Sequence, residues 1–321
     1  MYYLTALASA VLLSVNFCFT KKYQKRAGDR PRAVIVFNIL GGAASFIILS
    51  AVTFFSGGFS LNFDISPFSL LFAALTTICC GAYLLIGFRV MSLGSLSVYT
   101  VFLMLGGMAL PWIFGMVFLG EYHSAGSLLF PSLLPSSLML PFRITGLILM
   151  SAAVILSGLS GKDGKRGGPK FFLLCVSVFL LNGTVSVLSK VHQLPENASR
   201  AVSSESYVML NSLMKVLIFS AVFAIMILRG RKQNSSENKP AALPDRRALL
   251  LIPLCAAADA GSYFLQLVCA SHLPASALYP FVTGGSVLLT SVCGAVFFGE
   301  KPTKRSFFGS LLCFVSTFFF L

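Results

Sequence analysis

Ten long stretches of this chain carry almost no charge, and that fixes the solvent in which it folds. Runs of membrane-crossing length lie near residues 3–20, 33–56, 67–88, 95–119, 142–160, 170–189, 206–228, 248–270, 275–298 and 305–321. A hydrocarbon core about 30 Å thick takes roughly 20 helical residues. No water satisfies a backbone amide there, so a spanning segment is a helix or a strand of a closed barrel. Barrel strands are about ten residues long and alternate polar with apolar side chains. These runs are longer and uniformly apolar. The expected fold class is an all-α integral membrane protein with ten transmembrane helices. Composition agrees: 56% of the 321 residues are hydrophobic and 11% are charged, against about 25% charged in soluble domains.

The net charge of +14 is topogenic. The Lys and Arg residues lie between the apolar runs rather than along an amphipathic face, so no nucleic-acid partner is expected. Links after the odd-numbered runs hold twenty of them, and the other links hold Arg143, Lys190 and Arg200. The bias of basic loops toward the cytoplasm places both termini outside. All eight cysteines fall in apolar runs, with none at metal-ligand spacing to a histidine. They read as small packing residues. His123, His192 and His272 are isolated, and neither a metal nor a cofactor is implied. Residues 123–142 are apolar but broken by Pro131 and Pro135, which suggests an interfacial or loop insertion.

The two halves of the chain resemble one another. Phe118-Leu119-Gly120-Glu121 ends the fourth run, and Phe297-Phe298-Gly299-Glu300 ends the ninth. Gly106-Gly107 and Gly284-Gly285 lie within those runs. Tyr83 pairs with Tyr263, Leu93 with Leu273 and Tyr99 with Tyr279 at one common spacing. Thr20-Lys21 matches Ser189-Lys190, and Asn38 matches Asn211. The expected organisation is a first five-helix repeat over 1–160, a linker at 161–169 and a second repeat over 170–321. Five is odd, so the second copy is inverted. Inverted repeats let two halves rock about a site at the membrane midplane.

With the paired Gly-Glu helix ends, and Gly146 and Gly309 in the helices that follow, the chain resembles the EamA-like branch of the drug/metabolite transporter superfamily. The resemblance covers nearly the whole chain. It implies a secondary carrier of small metabolites or drugs, commonly an exporter, as a multi-pass protein of the bacterial inner membrane. It also implies both termini in the cytoplasm, against the charge count. The insertion between Glu121 and Gly146 departs from the family pattern.

An ionisable residue near the middle of a span costs roughly 2.5–3.5 kcal/mol on insertion scales, and Lys215 and Asp259 are two such residues. They are expected to face one central cavity and to interact. There they would hold a zwitterionic or anionic solute, or Asp259 would take up a transported proton. The alternative is a permanent ion pair pinning two helices. Asn211 shares a helix face with Lys215. Tyr263 and Gln266 continue the face of Asp259. Asn16, Asn38 and Asn182 are amides able to bond a ligand or a neighbouring helix. Tyr83, Tyr99 and Tyr279 complete the candidate set, though a tyrosine near a span end often anchors at the interface. The paired glycines suit close helix approach.

No enzyme motif is present. The expected partners are a small-molecule solute, the lipid bilayer and protons as a coupling ion, with the chain acting as a monomer or homodimer. The rival readings are an intramembrane lipid-modifying enzyme and a non-transporting sensor or assembly subunit.

Overall fold

A computed structural model of the chain describes residues 2–56, 63–94, 96–118, 136–158, 168–192, 194–232, 245–270, 275–299 and 303–319. These residues form helices α1 (Tyr2–Ala27), α2 (Pro31–Ser56), α3 (Pro67–Leu93), α4 (Leu96–Phe118), α5 (Ser136–Gly158) and α6 (Pro169–His192). They continue with α7 (Ser204–Lys232), the single turn α8 (Arg246–Leu249), α9 (Leu251–Ala270), α10 (Ala275–Phe298) and α11 (Lys304–Thr317). The chain is thus all-helical, and seven of the helices are long and apolar enough to cross a bilayer by their described residues alone.

Local chemistry sets the boundaries. Ser66 caps α3 by accepting from the Ser69 amide at 3.1 Å, with Pro67 in the first turn. Proline suits that turn because its missing N–H would have had no helical partner. Thr303 caps α11 in the same way. Gly28 and Gly299 follow α1 and α10 with φ of 81° and 60°, the left-handed conformation that ends helices and favours glycine. The glycine of the second Gly-Glu pair is therefore a helix stop.

Two boundaries differ from expectation. Helix α1 does not end at residue 20 but runs through the basic cluster to Ala27, because Lys and Arg are good helix formers and part of the cluster is buried. Residues 136–141, expected within a loop insertion, are the first turns of α5, with Pro141 inside the helix. The rest of that insertion, and residues 161–167 of the expected linker, lie outside the described residues.

Helix packing has an exchange symmetry. Helix α1 packs on α9 and α10, and α6 packs on α3 and α4. Helix α2 crosses α7, α5 crosses α11, and α4 meets α10. Exchanging α1–α5 for α6, α7, α9, α10 and α11 in order returns the same set of partnerships. Five helices separate the start of one set from the start of the next, so α1 and α6 run in opposite senses.

The symmetry is incomplete. Helix α1 also touches α3 and α4. Among the described residues α6 makes no comparable packing with α9 or α10. The largest apolar cluster follows this bias. It joins α1, α2, α3, α4, α6, α8 and α9 around Phe17, Tyr23, Val34, Phe88, Tyr99 and Phe171. These residues lie toward the membrane face that carries the basic links, called here the basic end.

Candidate solute cavity

A cavity of about 320 Å³ lies at the centre, lined from α1, α2, α3, α4, α6, α7, α9 and α10. Ten of the eleven candidate residues line it: Lys215, Asp259, Tyr263, Asn211, Gln266, Asn16, Asn38, Asn182, Tyr83 and Tyr99. Tyr279 belongs to α10, but its side chain lies outside the described residues.

The lining positions on each helix recur at helical spacing, and corresponding helices use corresponding positions. Leu13, Asn16, Phe17 and Thr20 of α1 map, at one constant spacing, onto Asn182, Val185, Ser186 and Ser189 of α6. Asn38, Gly41, Gly42 and Ser45 of α2 map likewise onto Val208, Asn211, Ser212 and Lys215 of α7. Thr76, Thr77, Cys80, Tyr83 and Leu84 of α3 map onto Cys255, Ala256, Asp259, Ser262 and Tyr263 of α9. The register differs slightly from the one read in the sequence. Identical residues drew Tyr83 to Tyr263 and Asn38 to Asn211, whereas the cavity sets Tyr83 opposite Ser262 and Asn211 opposite Gly41. Each charged position also gains a neutral counterpart, Ser45 for Lys215 and Cys80 for Asp259.

Lys215 and Asp259 share the cavity, but among the described residues no ion pair joins them, which corrects the expected contact. Asp259 is held by an amide instead: Asn16 Nδ2 donates to its Oδ1 at 3.0 Å. Thr20 Oγ1 in turn donates to Asn16 Oδ1 at 3.3 Å. Lys215 is half-buried and has no hydrogen-bond or ion-pair partner among the described residues. Its stem crosses α2 at Gly42, where an added β-carbon would stand 2.9 Å from the Lys215 Cβ. The Cys80 sulfur lies within electrostatic reach of both charges.

The amides divide by role. Asn182 donates to the Leu103 carbonyl at 2.7 Å and so pins α6 to α4. Asn38 bonds back to the Val34 carbonyl of its own helix at 2.9 Å. Gln266 donates to Ser262 Oγ at 3.1 Å. Asn211 Oδ1 is buried without a hydrogen bond of good geometry, with the Tyr207 phenol as an electrostatic neighbour. Tyr99, which an interfacial anchor would leave in the headgroups, is 2% exposed. Its ring occupies the space beside Gly87.

At the basic end the lining ends at Phe17, Thr20, Tyr99 and Cys255, all buried, and at the half-buried Phe37. Beyond them lie Tyr23, which donates to the Ala33 carbonyl at 2.7 Å, and Phe88, and both pack against the Phe37 ring. Lys21, read from the sequence as part of a solvated link, is buried there. At the other end, called here the far end, the lining reaches Ser186, Ser189 and Gln266, all partly exposed. His192, isolated in the sequence, is buried at that end. It lies 2.8 Å from Ser69 Oγ and is stacked on Tyr207 at 3.8 Å.

Hydropathy did not mark Thr20, Ser45, Cys80 and Ser189, because small uncharged side chains are nearly neutral on any transfer scale. Their signal was positional: each falls on the stripe that already holds an amide or an ion.

Fold and cavity together define a multi-pass helical membrane protein whose two sets of five helices enclose one polar chamber. Within it, residues 169–321 match the EamA-like transporter family, part of the drug/metabolite transporter superfamily. No curated protein sequence matches the chain. Among solved structures, one crystal structure covers 99% of this chain and 96% of its own, with a TM-score of 0.59 at 12% identity. That likeness concerns the fold.

Proposed function

We propose that this chain is a secondary transporter that moves a small amphipathic solute, of amino-acid size, across the cytoplasmic membrane by alternating access. Residues 1–160 and 170–321 act as the two rocking halves, joined by the linker at 161–169. The observation that carries this reading is the convergence of ten polar or ionic side chains on one central chamber, with an anchored carboxylate in its wall and an ammonium that has no partner among the described residues. A chamber of about 320 Å³ sits at the small end of ligand pockets, which span roughly 300–1,000 Å³. Tyr83, Tyr99 and Tyr263 supply flat apolar faces, and their hydroxyls supply polar contacts.

A half-buried cation with no counter-ion among the described residues is costly in a medium of low dielectric. A solute carrying an anionic group relieves that cost at Lys215. Asp259, oriented by Asn16 and Thr20, receives a cationic group or a coupling proton. The basic links hold their face in the cytoplasm, so this conformation is closed inward, and solute leaves the cell when it rocks to this state.

Flux in reconstituted vesicles tests the reading. A panel of amino acids and amphipathic amines should include solutes that the parent protein moves. Lys215→Met and Asp259→Asn should each slow transport by about tenfold or more, the loss of one charged contact at about 1.4 kcal/mol per decade. Parent-like rates in both variants would remove the chamber from the mechanism.

A further inference from the structure

His192 ends α6, is 2% exposed and does not line the chamber. Its Nε2 lies 2.8 Å from Ser69 Oγ. Its ring stacks on Tyr207 at 3.8 Å, with Phe68 at 5.8 Å and Phe72 at 6.1 Å. The Val202 amide donates to Ser69 Oγ at 3.0 Å. Ser66 Oγ lies 2.9 Å from Ser69 Oγ and 2.6 Å from the Arg200 carbonyl. Ser66 is half-buried at the far end. Two hydroxyls in a row therefore lead from that face to a buried imidazole.

A hydroxyl has one hydrogen to give and two positions that accept. With the ring protonated at Nδ1 and Nε2 bare, Ser69 gives its hydrogen to His192. With Nε2 also protonated, His192 donates to Ser69, Ser69 to Ser66, and Ser66 to the Arg200 carbonyl. No hydrogen-bonding group is stranded in either state. To load the site, Ser69 passes its hydrogen to Nε2 and Ser66 passes its own to Ser69. A hydronium ion at the far face then replaces the hydrogen of Ser66 and leaves as water. The Tyr207 ring face and the C-terminal end of α6 both favour the cation that forms. The corresponding positions at the basic end are Tyr23 for His192 and Ala248 for Ser69. Tyr23 commits its hydroxyl to the Ala33 carbonyl, and alanine has none, so the relay has no copy there.

We propose that His192 is a proton-binding site, loaded from the far face through Ser66 and Ser69, by which acidity at that face acts on the chamber wall. Ser189, which lines the chamber, lies three residues before His192 on α6. A cation among the rings of Phe68, Phe72 and Tyr207 draws water into the corner. That loosens the end of α6 and widens access to the chamber. Tyr207 is the titratable group in contact with His192. The charged side chains of this end are Asp64 ahead of α3, Lys190 on α6, Glu196 and Arg200 in the link, and Glu205 on α7. Among the described residues none of them bonds to His192. The inference goes beyond the transport reading and its test needs no solute. Absence of flux would leave it standing, and its own failure would leave the transport reading standing.

The test starts with full-length protein in nanodiscs, carrying ring-labelled histidine. His123→Gln and His272→Gln leave His192 as the one histidine. Its ring resonances should titrate reversibly between about pH 8 and about pH 5, which brackets the free imidazole value of about 6.5. Relaxation dispersion at the midpoint reads how fast the proton comes and goes. Ser66→Asn keeps the cap of α3 but breaks the relay. Proton transfer through a positioned side chain is worth about 10²–10⁴-fold, so exchange should slow about tenfold or more. Ser66→Thr keeps both cap and relay and should match the parent. The third reading is far-face reaction of Cys80, as the one cysteine in oriented vesicles, with an impermeant methanethiosulfonate. Dividing by the rate in His192→Gln cancels the pH dependence of the thiol itself. That ratio should rise as pH falls, by up to about tenfold per pH unit for one proton. A ring that does not titrate, Ser66→Asn exchanging as fast as the parent, Ser66→Thr as slow as Ser66→Asn, or a flat ratio would each overturn the proposal. If the double-glutamine protein does not run as a folded species on gel filtration, the resonance lost in His192→Gln identifies the site in the parent.

Discussion

The seam between α4 and α6 and the seam between α10 and α1 are built from corresponding positions, yet one is far tighter. Gly106 lies so close to the Phe179 backbone that a β-carbon would overlap it, and Gly183 rests on the Gly106 carbonyl. Asn182 pins the same seam. The corresponding contact on the other side is Gly285 against Ala10, where a β-carbon would stand at an ordinary 3.4 Å. Ser14 Oγ reaches the Ser286 carbonyl there at a long 3.4 Å. Between helices in lipid, attraction comes from close packing and hydrogen bonds rather than from a hydrophobic drive. The α4–α6 seam is therefore the stronger. The lesson is that the repeats share a plan but not a conformation: one seam is bolted and the other is left adjustable.

The two ends of the chamber show the same inequality. Tyr23 and Phe37 pair at 4.9 Å at the basic end, and their counterparts His192 and Tyr207 pair at 3.8 Å at the far end. Over the first pair closes Phe88 of α3, 5.9 Å from each ring. Over His192 lie Phe68 and Phe72, from the opposite end of that same α3. Phe88 is thus the ring that makes the basic end a plug. Phe88→Ala should cost about 3–5 kcal/mol, as for other fully buried phenylalanines, and should admit thiol reagents to Cys80 from the basic face. Thermal unfolding of detergent-solubilised protein measures the first effect. Phe72→Ala, at a half-buried site, should cost clearly less. Equal costs would mean that the two ends are equally closed and would erase the contrast.

A milder pair of substitutions tests the seams directly. Gly106→Ala forces a methyl into the Phe179 backbone and should destabilise by about 1–3 kcal/mol, the usual range for overpacking. Gly285→Ala meets Ala10 at ordinary contact distance and should stay under about 1 kcal/mol. The same unfolding measurement reads both. A larger loss at Gly285 than at Gly106 would reverse which seam is bolted.

Much of this was legible in the sequence, for reasons that differ by level. Span length and the absence of charge give the helices, because lipid enforces backbone satisfaction within each segment. The glycine pairs and the amides gave the seams and the chamber, because such residues are scarce in apolar runs and stand out. Two things were not legible. Lys21 sits in a run of basic residues, and nothing local distinguishes the one lysine whose ammonium turns inward to the Met91 carbonyl from those facing water. Lys215 and Asp259 attract on paper, but Asn16 reaches the carboxylate from a helix more than two hundred residues away in the chain. Contacts between helices fix that choice, and spacing along one helix is silent about them.

The smallest test concerns a strap found at one end. Asp29, in the turn between α1 and α2, accepts from Arg89 of α3 at 2.6 Å and from Ser92 at 3.2 Å. Its counterpart positions at the far end are Ala198 and, for Arg89, Val268, both uncharged. The hydrogen bond from Arg89 holds the Asp29 carboxyl below the usual carboxylate range. A depressed folded-state value means that the strap stabilises fully at neutral pH. Its contribution begins to fall below pH about 4, the ordinary aspartate value, and vanishes as pH drops through the folded-state value. The pair is solvent-exposed, with Arg89 59% accessible, so its worth is under about 1 kcal/mol and is screened by salt. Asp29→Asn should therefore lower the unfolding temperature slightly at pH 7. It should make no difference once the parent carboxyl is protonated, and little difference in high salt. A gap between parent and variant that stays constant down to acid pH would show that Asp29 acts through packing of the turn rather than through charge. The basic end would then owe its closure to its packed rings.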